Sequence, residues 1–285
     1  MMFSNSIQAI LQHHCKQLEA ALNLDCNSAR IEVQCLLQAA LQVNRAWLLT
    51  YPEHQLKDEQ YARYAALFER RLCGEPMSYI LGEREFYGLN FKVTPATLVP
   101  RPDTELLVDQ ALRRIPQQGR CRVLDLGAGS GVIALSIAHA RPDVEVVAVD
   151  ASQEALEVAR ENVRRLGLNN VRLLHSDWFS ALHGERFDVI VANPPYIAAN
   201  DVHLSQGDLR FEPRTALVSG ADGLDDIRRI AAQAKDHLNN NSWLLLEHGY
   251  DQEAQVRALL QEAGFFAVFS ARDLAGIERV SGGST

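Results

Sequence analysis

Val123-Leu124-Asp125-Leu126-Gly127-Ala128-Gly129-Ser130-Gly131 decides the fold. An apolar run enters three alternating glycines and is followed at once by the helix-like stretch 132–139, so a strand must turn sharply and open a helix. In an α/β sheet such a turn, beyond the carboxyl end of a strand, is where ligands bind. A dinucleotide fingerprint needs glycine three positions after Gly129, and Val132 stands there instead. No G-x-x-x-x-G-K-[ST] loop and no G-x-S-x-G elbow occurs in the chain. Asp125 precedes the first glycine by two positions; its charge repels a pyrophosphate and attracts an ammonium. A second acid, Asp150, ends the next strand-like run and is placed to hold the two vicinal hydroxyls of a ribose. Together the two acids predict a cationic, ribose-bearing cofactor.

Working outward, short β-branched runs at 123–126, 144–149, 171–174, 187–192 and 243–246 alternate with helical stretches at 132–139, 154–166, 224–238 and 253–263. That succession predicts a parallel sheet with helices on both faces. The last two runs, 266–271 and 277–281, are joined by a loop too short for a crossover helix and must pair antiparallel. The expected fold is therefore α/β, a doubly wound, mostly parallel seven-stranded sheet with an antiparallel last strand.

Upstream the texture is helical. Ile7, Ile10, Leu11, Cys15, Leu18 and Leu22 recur at helical spacing within 4–22. A second helix runs from a cap at Asn27 or Ser28 to about Leu41, and Asn44 caps a short third. Asp58 caps a fourth, with Tyr61, Tyr64, Ala65, Phe68 and Leu72 on one face and Gly74 as its stop. His13 and His14 sit at adjacent helix positions, about 100° apart, and cannot converge on one metal ion. Residues 85–93 alternate about Gly88 and Asn90 and read as a β-hairpin. The expected organisation is a small all-α substrate-recognition domain over 1–84, a hairpin linker over 85–100 and a catalytic domain over 101–285.

Across 285 residues, 36 acidic against 28 basic side chains give a net charge of -8, the wrong sign for a protein that grips phosphates. Five cysteines, an odd number with no C-x-x-C pair, read as reduced thiols of a cytoplasmic protein. No run of 18 apolar residues and no secretory leader pattern is visible, so no membrane association is expected.

The fourth strand runs into Asn193-Pro194-Pro195-Tyr196, at the same edge as the glycine loop. A planar NH2 group is a poor nucleophile, because its lone pair is delocalised. Two acceptors in its plane, the Asn193 side-chain oxygen and the Pro194 carbonyl, would hold both hydrogens and leave the π-face open. Pro195 fixes that geometry and Tyr196 offers a flat wall. Two acceptors fit equally at this level: the exocyclic amino group of a base and the side-chain amide of glutamine. Two further stretches stay open. Residues 100–104 read as a helix start capped by Asp103 or Thr104, or as a ligand contact; Glu247-His248-Gly249 reads as a polar turn, or as part of the site.

The form of 125–131 resembles the first motif of S-adenosylmethionine-dependent methyltransferases. That resemblance implies S-adenosylmethionine over Gly127, Ala128, Gly129, Ser130 and Gly131, with Asp125, Asp150 and Asn193 as further contacts. It also implies that Ser176-Asp177-Trp178 borders the adenine. Glu75 to Gly82, Glu85 to Gly88, Leu98 to Glu105, Arg210-Phe211-Glu212-Pro213 and Glu278-Arg279-Val280 are similar to the protein-(glutamine-N5) methyltransferases of the HemK type. Over nearly the whole chain, this similarity implies methylation of the glutamine in the Gly-Gly-Gln loop of class 1 peptide chain release factors, with Asn193, Pro194 and Tyr196 as catalytic residues. From the cysteine and histidine spacing no metal is expected, and from the net charge of -8 no direct nucleic-acid binding. An adenine-specific nucleic-acid methyltransferase, which must also extrude a base, is the alternative within the class, and the negative charge counts against it. A non-catalytic nucleotide-binding protein is the alternative outside it, and the intact Asn193 to Tyr196 tetrad counts against that.

Overall fold

The computed structural model describes residues 5–117 and 119–285, and the chain divides into two compact units. The first takes residues up to Gly82 with Gln206–Phe211, and the second takes Glu83–Ser205 and Glu212–Thr285. Among the described residues no helix is long and apolar enough to cross a membrane.

In the first unit the helices are α1 (Ile7–Leu22), α2 (Cys26–Leu41), α3 (Arg45–Thr50), α4 (Asp58–Leu72) and α5 (Met77–Leu81). Ser6 caps α1 by accepting from the Ala9 N–H; Ser4, in the stretch expected to be helical, lies outside the described residues. The cap of α2 is Asp25 rather than Asn27 or Ser28, because its carboxylate accepts from both of their N–H groups. Lys57 holds the cap position of α4, which makes Asp58 the first helical residue. Ile7, Ile10 and Leu18 meet Leu36, Leu37, Tyr64 and Phe68 in one core. His14 belongs to that core. Its Nδ1 lies 2.7 Å from the Tyr64 hydroxyl and its ring stacks on Phe68 at 4.3 Å. The α5 helix escaped the sequence reading because five residues are too few to show a period.

The second unit opens with a hairpin of β1 (Glu83–Phe86) and β2 (Leu89–Lys92). Its turn is Tyr87-Gly88, both at positive φ, rather than the expected Gly88 to Asn90. Tyr87 is held there by its N–H on the Glu105 carboxylate at 2.9 Å and its hydroxyl on Asp109 at 2.7 Å. Phe86 and Phe91 are buried in the core of this unit, so the stretch expected as a connector is packed structure. A 3₁₀ turn, Pro102–Thr104, leads into α6 (Glu105–Leu112), and neither Asp103 nor Thr104 caps that helix with its side chain.

There follow β3 (Arg122–Leu126), α7 (Val132–Ala140), β4 (Glu145–Asp150), α8 (Gln153–Leu166), β5 (Val171–His175), β6 (Phe187–Ala192), α9 (Asp225–Ala234), β7 (Leu238–Glu247), α10 (Glu253–Glu262), β8 (Phe266–Arg272) and β9 (Glu278–Ser284). The seven strands lie in the order β5-β4-β3-β6-β7-β9-β8, parallel except for β9, which is antiparallel to both its neighbours. Alternation along β3 sends Val123 to a core shared with α6 and α7, and Leu124 and Leu126 to a core shared with α9 and α10. The chain winds outward from β3 to β5 and returns to β6 on the other side of β3. The β3/β6 boundary is thus the switch point at which an α/β sheet opens a crevice for ligand, and it carries the glycine loop on one strand and Asn193 to Tyr196 on the other.

The reversed strand β9 fits between β7 and β8 because it is narrow. A Cβ at buried Gly282 would fall 2.6 Å from Leu245 and 2.7 Å from the Leu244 carbonyl oxygen. Overpacking of this kind costs about 1–3 kcal/mol. Gly282→Ala is expected to lower the thermal midpoint by several degrees, and a midpoint equal to that of the wild type in a calorimetric scan would contradict this packing.

Candidate active site

The glycine loop is shaped from the strand beside it. Gly127 and Ala128 both donate to the Val149 carbonyl at 2.9 Å, and Asp150 accepts from the Gly129 N–H at 2.8 Å and the Ser152 N–H at 2.7 Å. Gly127 and Gly129 take positive φ, which glycine adopts without steric cost. A Cβ on Gly127 would stand in van der Waals contact with the Trp178 ring at 3.4 Å. Behind the loop, Asn162 bonds the Ser130 carbonyl and both backbone groups of Lys92, fastening the hairpin to the site.

Over this loop lies a cavity of about 510 Å³, within the range of small-molecule sites. Its walls include Gly127, Ala128, Gly129, Ser130, Asp150, Asp177, Trp178, Asn193 and Pro195. Four residues expected at the site stand elsewhere. Asp125 is completely buried and lines no part of the cavity; its Oδ2 accepts from the Ala134 N–H at 3.0 Å and its Oδ1 has no hydrogen bond. Burial lifts its pKa to about 7, with the nearby Asp150 charge adding to the rise. It cannot serve as an exposed anion for an ammonium, and it ties β3 to α7 instead. Gly131 begins α7 in the left-handed region, packed against Leu135. Pro194 is buried, and Tyr196, expected as a wall, directs its hydroxyl to Glu247 Oε1 at 3.4 Å. Asp177 does border the cavity, as an ion pair with Arg229 through bonds of 2.9 and 2.7 Å.

The opposite wall takes in Pro100, Arg101 and Thr104, and of the two readings open for residues 100–104 the cavity supports the ligand contact. Thr97, Leu98, Pro100, Arg101 and Thr104 line the cavity. Arg101 is paired with Glu212, whose side chain is fully buried and also accepts from the Val99 N–H at 3.2 Å. Thr104 accepts from Asn193 Nδ2 at 3.3 Å, which leaves Asn193 Oδ1 as the acceptor for a ligand. Glu247 is buried next to Tyr196, with its pKa raised by burial to about 7, and His248 is wholly buried between the Gly249 carbonyl and the Ser281 hydroxyl. The sequence signals for these partners are the motifs around 98–105 and 210–213 and the polar turn at 247–249.

A glycine cradle that a Cβ would narrow, a carboxylate at its lip with lone pairs to spare and a cavity of this volume fit a ribose-bearing sulfonium. A family model described as "Methyltransferase small domain" matches residues 102–211, and one described as "PrmC N-terminal domain" matches residues 9–82. Two solved structures share the fold. A methyltransferase from Pyrococcus furiosus is 21% identical with a TM-score of 0.53, over 76% of this chain and 95% of that one. A T. thermophilus 16S rRNA methyltransferase, determined with AdoMet and guanosine, is 24% identical with a TM-score of 0.51, over 71% of this chain and 49% of that one. Fold and site define an S-adenosylmethionine-dependent methyltransferase. Proteins named release factor glutamine methyltransferase are 51% identical in Pseudomonas aeruginosa, over 94% of this chain and 96% of that protein, and 46% identical in Escherichia coli, over 95% and 96%. The chain belongs to the release factor glutamine methyltransferase family.

Two outcomes follow from the acids. Charge-assisted hydrogen bonds are worth roughly 1.5–3 kcal/mol, so Asp150→Ala is expected to weaken S-adenosylmethionine about ten- to a hundredfold by calorimetry. Unchanged affinity in a folded variant would remove Asp150 from the site. Asp125 stays protonated in the fold up to about pH 7 but ionises near pH 4 when unfolded, so its stabilising contribution is full below about pH 4 and lost as pH rises through 7. Asp125→Asn should therefore gain stability relative to the wild type between about pH 5 and pH 8 in urea titrations. A pH-independent difference would show that the buried carboxyl does not titrate as described.

Proposed function

We propose that this protein methylates the side-chain amide nitrogen of the glutamine in the Gly-Gly-Gln motif of class 1 peptide chain release factors, in the cytoplasm. The observation that carries the reading is Asn193 beside the glycine cradle, with Nδ2 engaged by Thr104 and Oδ1 left to accept. Bound S-adenosylmethionine supplies an electrophilic methyl group on a sulfonium, held by the 127–130 backbone and Asp150. Asn193 Oδ1 takes one N–H of the acceptor amide, which orients the nitrogen without covalent chemistry. Once the amide nitrogen takes the methyl group it is cationic and its N–H is strongly acidic, so the proton leaves to solvent and no general base is assigned. Glutamine is favoured over adenine by the names of the relatives and by the net charge of -8, which does not suit a phosphate backbone.

An amide occurs in every protein, and a three-residue loop offers little discrimination. We assign recognition of the whole release factor to the helical unit, whose residues supply no wall of the cavity. In assays with labelled S-adenosylmethionine, an intact release factor should be methylated far faster than a short Gly-Gly-Gln peptide. Asn193→Ala should bind S-adenosylmethionine nearly normally and lose at least about tenfold in kcat. A smaller loss, or label entering adenine-containing nucleic acid instead, would overturn the reading.

A further inference from the structure

Glu247 ends β7 at the same sheet edge as Asn193 yet forms no part of the cavity wall. It is 2% exposed, and Oε2 has no hydrogen-bond partner among the described residues. An acidic side chain in that position is costly to retain unless it acts on its neighbours. Two of those neighbours are hydroxyls. Tyr196 donates to Oε1 at 3.4 Å, and the Thr104 hydroxyl lies near enough to favour the ionised form of the same carboxyl. Thr104 Oγ1 also meets Asn193 Nδ2 at 3.3 Å.

A hydroxyl has a single proton to give. When Thr104 gives it to an ionised Glu247, a lone pair faces Asn193, and only the NH2 end of that amide can meet it. Asn193 Oδ1 is then turned toward the ligand. When Glu247 is protonated it can itself donate to Thr104, whose proton is freed to point at Asn193. The amide is then favoured in the flipped orientation, with its NH2 against the NH2 of the acceptor. We propose that Glu247 is a positioning residue for methyl transfer: its carboxylate sets the direction of the Thr104 hydroxyl and so holds Asn193 with Oδ1 toward the acceptor nitrogen. The inference rests on the reading of Asn193 as the amide acceptor.

The groups facing Glu247 are Tyr196 from the motif loop, Asp103 and Thr104 from the 3₁₀ turn, and Arg279 from β9. Arg279 is itself shared, 3.4 Å from Asp103 and 3.2 Å from Asp273. Burial outweighs the rest and lifts Glu247 to about 7, so its ionised form gains as pH rises through neutrality. The rate of methyl transfer should rise over the same interval.

The test uses the full-length protein and an intact release factor, with kcat and the KM for S-adenosylmethionine measured from about pH 6 to pH 9. Glu247→Gln, which keeps shape but not charge, is expected to lower kcat at least about tenfold at pH 8 with KM changed less than about twofold, and to lose the rising limb. Thr104→Val should match it, Thr104→Ser should recover most of the loss, and the double variant Thr104→Val/Glu247→Gln should be no slower than either single one. If Glu247→Gln does not fold, the Thr104→Val and Thr104→Ser pair carries the comparison through the same pH limb. Wild-type kcat or an unchanged limb in Glu247→Gln, or multiplied losses in the double variant, would overturn the role of Glu247 while glutamine labelling by the wild type stands. Failure of the wild type to label glutamine would instead overturn the functional reading beneath it.

Discussion

The Asp150 carboxylate, bonded to the N–H groups of Gly129 and Ser152, is the interaction on which the rest of the site depends. Three glycines at positive φ give a loop that can take many shapes, and an acceptor fixed at the end of β4 selects one of them. The same carboxylate sets the entry of α8, where Ser152 caps the helix through the Ala155 N–H. From α8, Asn162 reaches back to the Ser130 carbonyl and the hairpin. One side chain thus orders the loop, the helix behind it and the strand pair packed on that helix, and still has lone pairs for a ligand.

The sheet's winding order supplies the second half of the geometry. Because β3 and β6 are neighbours that lead into opposite halves of the sheet, their carboxyl ends open into one crevice. The glycine cradle comes from the first and Asn193 from the second, so both line one cavity. The wall formed by 95–101 and Thr104 completes the crevice, and the buried Glu212 fixes it by holding both Arg101 and the Val99 N–H.

The fold was legible where hydrophobic period and glycine spacing are local signals. All seven strands could be read that way, and so could the antiparallel ending, since the loop between β8 and β9 cannot hold a helix. The insertion of β9 between β7 and β8 could not, because strand order is a tertiary property. Within the site, Gly127 to Ser130, Asp150, Trp178, Asn193 and Pro195 were identifiable because each follows directly from a strand end. Asp125 was misjudged because a charge in a motif says nothing about the direction in which its side chain leaves the sheet. Thr104 meets Asn193 across 89 positions of sequence, and Tyr196 meets Glu247 across 51. No spacing rule reaches that far, and the turn chemistry that suggested Thr104 as a helix cap concealed its actual partner.

The geometry around Asn193 suits a planar amide, and the nature of the methylated nitrogen tests that claim most directly. A release factor methylated with isotopically labelled S-adenosylmethionine can be hydrolysed in strong acid and its volatile products separated. A methyl group on a glutamine side-chain amide leaves as methylamine, because hydrolysis cleaves the amide and returns glutamate. Recovery of the label as methylamine is the expected result. Label recovered as methanol, which marks a carboxyl ester, or retained on an acid-stable lysine, arginine or histidine, would contradict the assignment of a planar amide to this site.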